Sequence, residues 1–261
     1  MKTNKLSLNE LKEFLDEKYN YFNSHQFIQT DPICIPHQFN VKEDIEISAF
    51  LIATIAWGQR ASIIKNGNRL MQWMDNSPYH FILHSSEKDL NVFNKFVHRT
   101  FNGIDCIYFL NSLKNIYKNH SGLEQSFYKG YKENNSIKNA IVEFRAIFFE
   151  LKKFPTRTLK HVSNPADNSA AKRLNMFLRW MVRKDHKGVD FGIWRKMSMA
   201  ALYCPLDIHT GNTSRELGLL FRKQNDWKAV EELTNYLRML DSNDPIKYDF
   251  ALFGLGAIEK F

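Results

Sequence analysis

The sequence predicts an all-α fold, and three observations support this. Large apolar side chains recur at three- and four-residue spacing along most of the 261 residues, which is the period of a helix face. No alternation of polar and apolar residues is long enough for a convincing strand. Glycine (11) and proline (7) are scarce, so few positions interrupt a helix. An apolar fraction of 44% supplies a core for one large domain or two lobes.

The predicted elements begin with an amphipathic helix whose start has a capping-box pattern, Ser7 followed three residues later by Glu10. A proline-marked loop follows, and Asp44 is expected to cap an apolar helix over 45–57 that ends at Gly58. Further helices are predicted at 61–75, 88–98, 105–118, 122–133, 136–152 (ended by Phe154-Pro155), 170–184, 190–202, 210–221, 226–239 and 246–258.

Positive charge is concentrated in one segment. The whole chain has a formal net charge of +8, whereas residues 152–196 contain twelve Lys or Arg against three Asp, which is +9. The remainder is therefore close to neutral, at −1. Such a block is typical of a protein that binds a phosphate backbone, and equally of a solvated basic face. Both interpretations stay open at this level.

The three cysteines, Cys34, Cys106 and Cys204, are far apart and form no CxxC pair. They do not match a zinc or iron–sulfur motif, so we expect reduced thiols, no metal, no cofactor and a cytoplasmic protein. The N-terminus has no apolar signal core, and the apolar stretch 45–57 is too short to span a bilayer. We therefore expect no membrane partner.

The helix over 170–184 has a core stripe on one face and a basic stripe on the other. The basic stripe includes Lys172, Arg179 and Arg183. Asn168 or Ser169 is the expected N-cap, and the free amides of the first turn suit a phosphate. Lys172 lies near this positive helix end, which disfavours its ammonium form. It is either a nucleophile, a phosphate contact or an ordinary surface lysine.

Two further segments contain candidate residues. In CPLDIHTGN, Asp207 precedes a helix with His209 two residues later, so Asp207 is either a simple N-cap or a functional carboxylate. In FLIATIAWGQRAS, Gln59 and Arg60 follow an apolar helix. They form either a surface turn or a rigid polar wedge suited to a nucleic-acid stack.

These segments resemble, in order, the helix-hairpin-helix DNA glycosylases of the endonuclease III and 8-oxoguanine glycosylase superfamily. FLIATIAWGQRAS is similar to its helix that ends in a Gln-containing loop, and CPLDIHTGNTSRELGLL to its V-D-T-H-V-x-R-V segment. DPIKYDFALFGLGA resembles its closing D-x-A-L-x-x-L-G helix. The chain looks closer still to an uncharacterised bacterial family known as a domain of unknown function, whose members contain LAWGQR, KRLNLFLRWMVR and PLDTH.

The resemblance implies roles for individual residues. Asp207 would be the catalytic carboxylate and Lys172 the nucleophile of a bifunctional enzyme. Gln59 would fill the gap left by an extruded base. DNA contacts would come from Gln59, Arg60, Asn168, Arg173, Arg179, Arg183 and His209. No iron–sulfur cysteines follow the closing helix.

The sequence thus predicts a two-lobed glycosylase-like fold without an iron–sulfur cluster. Residues 45–187 would form a helical barrel lobe with a hairpin-like element, and 1–44 with 188–261 a second lobe, with the cleft between Lys172 and Asp207. The expected function is base excision from damaged DNA by a monomer, with or without a lysine-dependent lyase step.

Two other functions stay open. The superfamily hairpin L-P-G-V-G-x-K-T-A has two glycines, whereas VSNPADNSAAK has none, and Asn212 occupies a position that is often Arg. Both departures favour a non-catalytic nucleic-acid-binding module of the same fold. A protein-interaction scaffold with a basic face is the third alternative. The lesion, and the choice between DNA and RNA, are not encoded in any recognisable motif.

Overall fold

The computed structural model describes residues 7–152 and 155–261, and it confirms the all-α class. Helix accounts for 67% of these described residues and strand for 2%. No helix among the described residues is long and apolar enough to cross a membrane. Phe154, the predicted helix breaker, and Lys153 of the basic segment lie outside the described residues.

Thirteen α-helices and one short hairpin occur in the described ranges. The helices are α1 (Leu8–Phe22), α2 (His25–Thr30), α3 (Lys42–Ile55), α4 (Arg60–Trp73), α5 (Pro78–His84), α6 (Glu87–Leu90), α7 (Gly103–Asn119), α8 (Leu123–Tyr131), α9 (Ile137–Phe148), α10 (Lys172–Val182), α11 (Ile208–Glu216), α12 (Trp227–Leu240) and α13 (Tyr248–Gly254). The strands are β1 (Val97–His98) and β2 (Phe101–Asn102), which pair antiparallel. Short 3₁₀ turns include Thr156–His161, Pro165–Asp167 and Met199–Ala201.

The chain divides into two compact units. One comprises Ile28–Asn164, and the other combines the described residues up to Phe27 with Pro165–Phe261. The division expected from the sequence, at 44/45 and 187/188, stays a prediction. Two arginines of α10 pair with carboxylates at positions 185–249. These ion pairs join α10 to the C-terminal residues.

The core of the 28–164 unit is built around α3. Every residue of α3 from Ile45 to Ile55 is buried, as expected for a helix that is apolar on all sides. The ring of Phe50 lies 5.4–5.8 Å from the rings of Phe109, Phe144 and Phe148, which belong to α7 and α9. Aromatic contacts at these centroid distances add to the burial of apolar surface. Much of the aromatic content of the sequence is therefore core.

The 7–27 and 165–261 unit begins with α1, whose predicted capping box is confirmed. The Ser7 hydroxyl accepts from the Glu10 backbone N–H at 3.3 Å, and the Glu10 carboxylate accepts from the Ser7 N–H at 2.8 Å. α1 packs against α13 at Gly254, where an added Cβ would lie 2.2 Å from the Phe22 ring. Only glycine allows this close approach.

Several predicted elements differ from the observed ones near α3. α3 begins at Lys42 and ends at Ile55, so Asp44 is a first-turn residue and its predicted capping role is wrong. Its carboxylate instead accepts from the Tyr79 backbone N–H at 2.8 Å, at the start of α5. α5 was not among the helices predicted from the sequence. The predicted helix at 88–98 is replaced by α6, a 3₁₀ turn and β1.

The helix predicted at 190–202 does not form, apart from the 3₁₀ turn Met199–Ala201. The backbone N–H groups of Phe191 and Trp194 donate to the carbonyls of Trp180 and Met181 at 2.8 and 2.9 Å. Those carbonyls are at the end of α10 and have no partner within their own helix. The segment is therefore extended because it satisfies the C-terminus of α10.

Replacing Gly254 by Ala should destabilise the protein, since the added methyl group would overlap the Phe22 ring. We expect the free energy of unfolding in urea to fall by about 1–3 kcal/mol, the usual range for overpacking a core. The loss should be smaller in a Phe22→Leu background, because the two side chains are in contact. Equal losses in both backgrounds would show that the contact with Phe22 does not require glycine.

Candidate active site

Lys172 and Asp207 lie side by side at the N-termini of two helices. Lys172 is the first residue of α10, and Asp207 is the N-cap of α11. The Lys172 Nζ is 3.5 Å from the Asp207 Oδ2, and their side chains are 31% and 17% exposed. The two residues proposed from the sequence are therefore brought together, 35 positions apart in the chain, within one unit. Both remain accessible to a ligand.

Asp207 is held in one orientation by its own helix. Its Oδ1 accepts from the Thr210 backbone N–H at 2.8 Å, which confirms the predicted N-cap. Its backbone carbonyl accepts from the Asn225 side-chain amide at 3.1 Å. The cap engages one carboxylate oxygen and the other faces Lys172. Capping and a chemical role are thus compatible in the same side chain.

Lys172 follows a backbone segment with two left-handed residues. Asn168 has φ 60° and Ala171 has φ 46°, a region that glycine adopts without cost. The predicted N-cap at Asn168 or Ser169 is wrong, because α10 starts only at Lys172 and Ala171 in the cap position offers no side-chain acceptor. The first-turn amides of α10 therefore lack a side-chain cap. This segment therefore makes a left-handed turn without glycine.

Asn168 anchors this turn to α12. Its side-chain amide donates to Asp226 Oδ2 at 3.0 Å, and its carbonyl accepts from the Trp227 N–H at 3.0 Å. Asp226 is the N-cap of α12, and a hydrogen bond from Arg222 lowers the pKa of its carboxyl. Asn168 is exposed beside these contacts. Asp226 was not among the residues singled out from the sequence, although an Asp at the start of the predicted helix 226–239 is a typical N-cap signal.

Arg179 and Arg183 are buried ion-pair residues and not surface cations. They are 5% and 0% exposed. Arg179 contacts Asp190 (Nε to Oδ1, 3.2 Å) and Asp249. Arg183 contacts Asp190 at 2.9 Å through Nη1 and Asp244 at 2.9 Å through Nη2.

This burial corrects the DNA-contact role expected for the two arginines. Burial opposes the charge on Arg183, but the carboxylates of Asp190 and Asp244 outweigh it and raise the pKa of the guanidinium. With its donors occupied by carboxylates, Arg183 has no exposed surface to offer a phosphate. The part of the basic stripe formed by Arg179 and Arg183 is therefore an internal ion-pair cluster. Its carboxylate partners come from distant parts of the sequence.

Asp249 of α13 connects this network to the site. Besides pairing with Arg179, its Oδ1 lies 3.8 Å from the Cys204 Sγ, three residues before Asp207. Burial raises the pKa of Asp249 to about 6, and the nearby Asp207 carboxylate adds to that shift while Arg179 and Lys172 oppose it. Burial also raises the pKa of the Cys204 thiol, which excludes it as a ready nucleophile. Asp249 thus fixes both α10 and the segment that leads to Asp207.

The remaining residues expected in this unit lie near Lys172 and Asp207 in the sequence. His209 is exposed in the first turn of α11. Arg173 is half-buried, and desolvation lowers its pKa to about 10, so it stays cationic at neutral pH. Ile208, adjacent to Asp207, is 70% exposed. An apolar side chain beside polar ones gives this end of α11 a mixed, accessible surface.

Gln59 and Arg60 belong to the 28–164 unit. Gln59 is exposed and is the N-cap of α4, without a side-chain cap bond, and Arg60 is half-buried. They therefore begin α4, after a break that follows α3. Gly58 before them has φ +101°. The Trp57 carbonyl lies 3.1 Å from the His98 Nε2, which fixes the loop from behind.

Among residues 7–152 and 155–261, no cluster of three or more His, Cys, Asp or Glu side chains is arranged to hold a metal ion. The three cysteines are free thiols, with Cys106 and Cys204 buried and Cys34 half-buried. The side chains that face each other at the site are the Lys172 amine and the Asp207 carboxylate.

Comparison with known families identifies one match, the family described as "Protein of unknown function (DUF2400)", over residues 31–258. The chain belongs to this family. The match agrees with the sequence resemblance to a family of unknown function, whereas the glycosylase resemblance stays a prediction. No curated protein and no solved structure matches the chain.

Removing the guanidinium of Arg183 should severely destabilise this DUF2400 protein. Arg183→Ala leaves the carboxylates of Asp190 and Asp244 buried without their main counter-charge, so we expect a loss of about 3–5 kcal/mol in urea unfolding. The exposed neighbour is the matched control, and Lys184→Ala should change stability by less than about 0.5 kcal/mol. Similar small effects for both variants would refute the internal role.

Asp249 should give the DUF2400 protein a pH-dependent stability. Its folded pKa is raised above the unfolded value, so it stabilises the fold when protonated and that contribution is lost as pH rises through about 6. The stability of the wild type minus that of Asp249→Asn should be larger at pH 5 than at pH 7.5 by about 1 kcal/mol.

Asp185→Asn is the control for this measurement. The pKa of Asp185 is lowered because Arg183 and three hydrogen bonds outweigh its burial. Its contribution is lost only below its usual pKa, so its effect on stability should be constant between pH 5 and 7.5. A constant effect for Asp249→Asn as well would contradict the raised pKa.

Proposed function

We propose that this DUF2400 protein is a DNA N-glycosylase that excises an extruded base, with Lys172 as nucleophile and Asp207 as its carboxylate partner. The observation that carries the proposal is the pair itself, with the Lys172 Nζ 3.5 Å from the Asp207 Oδ2. Both side chains are partly exposed and each is positioned by a helix N-terminus. The cap bond of Asp207 and the buried contacts of Asp249 behind it hold the pair in a fixed position.

The chemistry requires a neutral amine, and Asp207 is the base placed to provide it. The Asp207 Oδ2 accepts a proton from the Lys172 ammonium, while Oδ1 stays bonded to the Thr210 N–H. The Nζ lone pair then attacks the anomeric carbon of the sugar. The N-glycosidic bond breaks and its electron pair leaves with the base. A base atom takes up the proton held on Asp207 Oδ2, so Asp207 is again a carboxylate.

Loss of the remaining proton and opening of the sugar ring convert the adduct to a Schiff base between Lys172 and the sugar, which permits strand cleavage. Positive charge develops on the sugar as the glycosidic bond breaks. A fixed carboxylate 3.5 Å from the attacking nitrogen is well placed to stabilise it. One carboxylate therefore serves two successive steps.

The base has to leave the duplex before an amine can reach the sugar, so the protein needs contacts to the strand. Asn168 and His209 are exposed near the two helix starts, and the half-buried Arg173 follows Lys172 directly. We assign phosphate contacts to these three residues. The glycosylase resemblance implies a DNA contact for Arg60, and for Gln59, exposed at the start of α4, the role of filling the space left by the base.

The turn before Lys172 supports this proposal over a non-catalytic module. The absence of hairpin glycines favoured the non-catalytic alternative, but Asn168 and Ala171 adopt the left-handed backbone that such glycines provide. Ala171 pays about 1–2 kcal/mol for this conformation, a cost that persists where surrounding structure fixes the backbone. Binding without base release would be the result that favours the non-catalytic alternative.

Borohydride reduction tests the proposal, because it traps a lysine–sugar Schiff base as a stable adduct. Wild-type protein should form covalent adducts with duplex DNA from a panel of damaged-base and abasic substrates. Lys172→Gln should abolish trapping, and Asp207→Asn should slow base release by about 10²–10³-fold while DNA binding is kept. Lys184→Gln, which removes an exposed lysine from the same unit, should trap like the wild type.

Absence of both trapping and base release across the panel would contradict the glycosylase function. Trapping that persists in Lys172→Gln would show that another amine is the nucleophile.

A further inference from the structure

A second basic surface lies in the 28–164 unit, where the turn between β1 and β2 covers Gly58. A Cβ built on Gly58 would be 2.8 Å from the Arg99 Nη1 and 3.2 Å from the Arg99 Cδ. The side chain of Arg99 therefore extends across Gly58, adjacent to the exposed Gln59. Glycine is needed here both for its φ of +101° and for this contact.

The backbone that presents Arg99 is strained. Arg99 begins the two-residue turn Arg99-Thr100 and has φ 55°, a left-handed conformation that costs a non-glycine residue about 1–2 kcal/mol. Hairpin turns that need positive φ usually contain Gly, Asn or Asp. Backbone strain of this kind is concentrated at functional positions. A strained arginine at the tip of a hairpin therefore indicates that its side chain has a functional role.

His98 fixes the hairpin to the loop before Gln59. The His98 Nε2 lies 3.1 Å from the Trp57 carbonyl, and its Nδ1 lies 2.8 Å from the Asn66 side-chain amide on α4. Burial lowers the pKa of His98, so the ring is neutral and bonded on both nitrogens. Three elements, the loop, α4 and the hairpin, are thereby joined by one imidazole. Arg99 and Gln59 are presented on a rigid frame.

Arg157 adds a second guanidinium on the other side of the turn. Its Nη2 donates to the Thr100 carbonyl at 2.9 Å and lies 3.2 Å from the Asp105 Oδ2. Asp105 is fully buried and also accepts from the Thr158 hydroxyl at 2.7 Å. The Arg157 side chain is 38% exposed. One edge of its guanidinium is therefore fixed by these contacts, and the rest of the group is accessible to solvent. The carboxylate that positions it is beneath the surface.

Arg99 itself is available to a ligand. It is exposed, and among the residues that the structure describes no hydrogen bond or ion pair involves its guanidinium. Lys160, one turn after Arg157 in the 3₁₀ segment, is exposed as well. Exposed Gln59, Gly58, Arg99, Thr100 and Arg157 are joined by the contacts described above into one continuous patch.

We infer that the patch formed by Gln59, Arg99 and Arg157 binds the phosphodiester backbone of a nucleic-acid strand. Planar guanidinium groups on fixed backbone suit phosphate oxygens, whereas a merely solvated basic face needs neither a strained turn nor a buried support. Backbone contacts of this kind set the register of a strand. The identity of the polymer as DNA rests on the proposed function, and here Arg99 would hold the strand next to Gln59.

The salt dependence of binding tests this inference, with a short duplex containing a tetrahydrofuran abasic-site analogue as the probe. Loss of one phosphate contact reduces the slope of log K against log salt by about 0.9. Arg99→Gln should therefore flatten the slope by about that amount and weaken binding roughly 5–10-fold near 0.1 M salt. Lys132→Gln removes one exposed charge from the same unit, and it should keep the wild-type slope and an affinity within about twofold of the wild type.

Arg99→Gly separates binding from folding. Glycine adopts the left-handed backbone without strain, so this variant should be at least as stable as the wild type while it loses the same binding. If both Arg99 variants keep the salt slope of the wild type while borohydride still traps the wild-type protein, the patch is overturned and the glycosylase proposal stands. Flattened slopes without any trapping would support the patch and remove the glycosylase function. A wild-type protein that does not bind the duplex would overturn both.

Discussion

The ion pairs of Arg179 and Arg183 are the interaction on which the candidate active site depends. They bring carboxylates from the end of the chain, Asp244 and Asp249, against a helix more than 60 residues earlier. A buried guanidinium is tolerable only where carboxylates compensate its lost hydration, so the geometry of α10 is strongly specified. Lys172 is at the start of that helix, two turns before Arg179. Its position therefore follows from the buried network.

The same buried network also supports the segment that leads to Asp207. Asp249 contacts Arg179 and Cys204, and the short segment after Cys204 leads into the cap of α11. Two helix starts are thus oriented by one buried carboxylate, and an amine and a carboxylate face each other at their surface. Under the proposed function, the two groups would not have to be ordered when a substrate arrives, which would lower the entropic cost of the reaction.

Much of this arrangement was predictable from the sequence, because its signals are local. The capping box of α1, the cap of Asp207 and the apolar α3 follow from residues a few positions apart. The role of Arg179 and Arg183 was not predictable. Their spacing is that of a surface stripe, and their partners Asp244 and Asp249 are distant in the sequence.

The turns were missed for a related reason. Asn168, Ala171 and Arg99 adopt a backbone that usually signals glycine, so tertiary contacts override the local preference at these positions. β1 and β2 have two residues each, too few to show an alternating pattern. The excess of positive charge at 152–196 does not form a single exposed basic face. The segment belongs partly to one unit and partly to the other, and two of its arginines are buried.

Peptide mapping of the borohydride-trapped adduct tests the central claim most directly. After digestion of protein and DNA, mass spectrometry should locate the sugar remnant on the Lys172 side chain, the amine that lies 3.5 Å from Asp207. An adduct on any other lysine, or on the N-terminal amine, would contradict the assignment of this pair as the reactive centre.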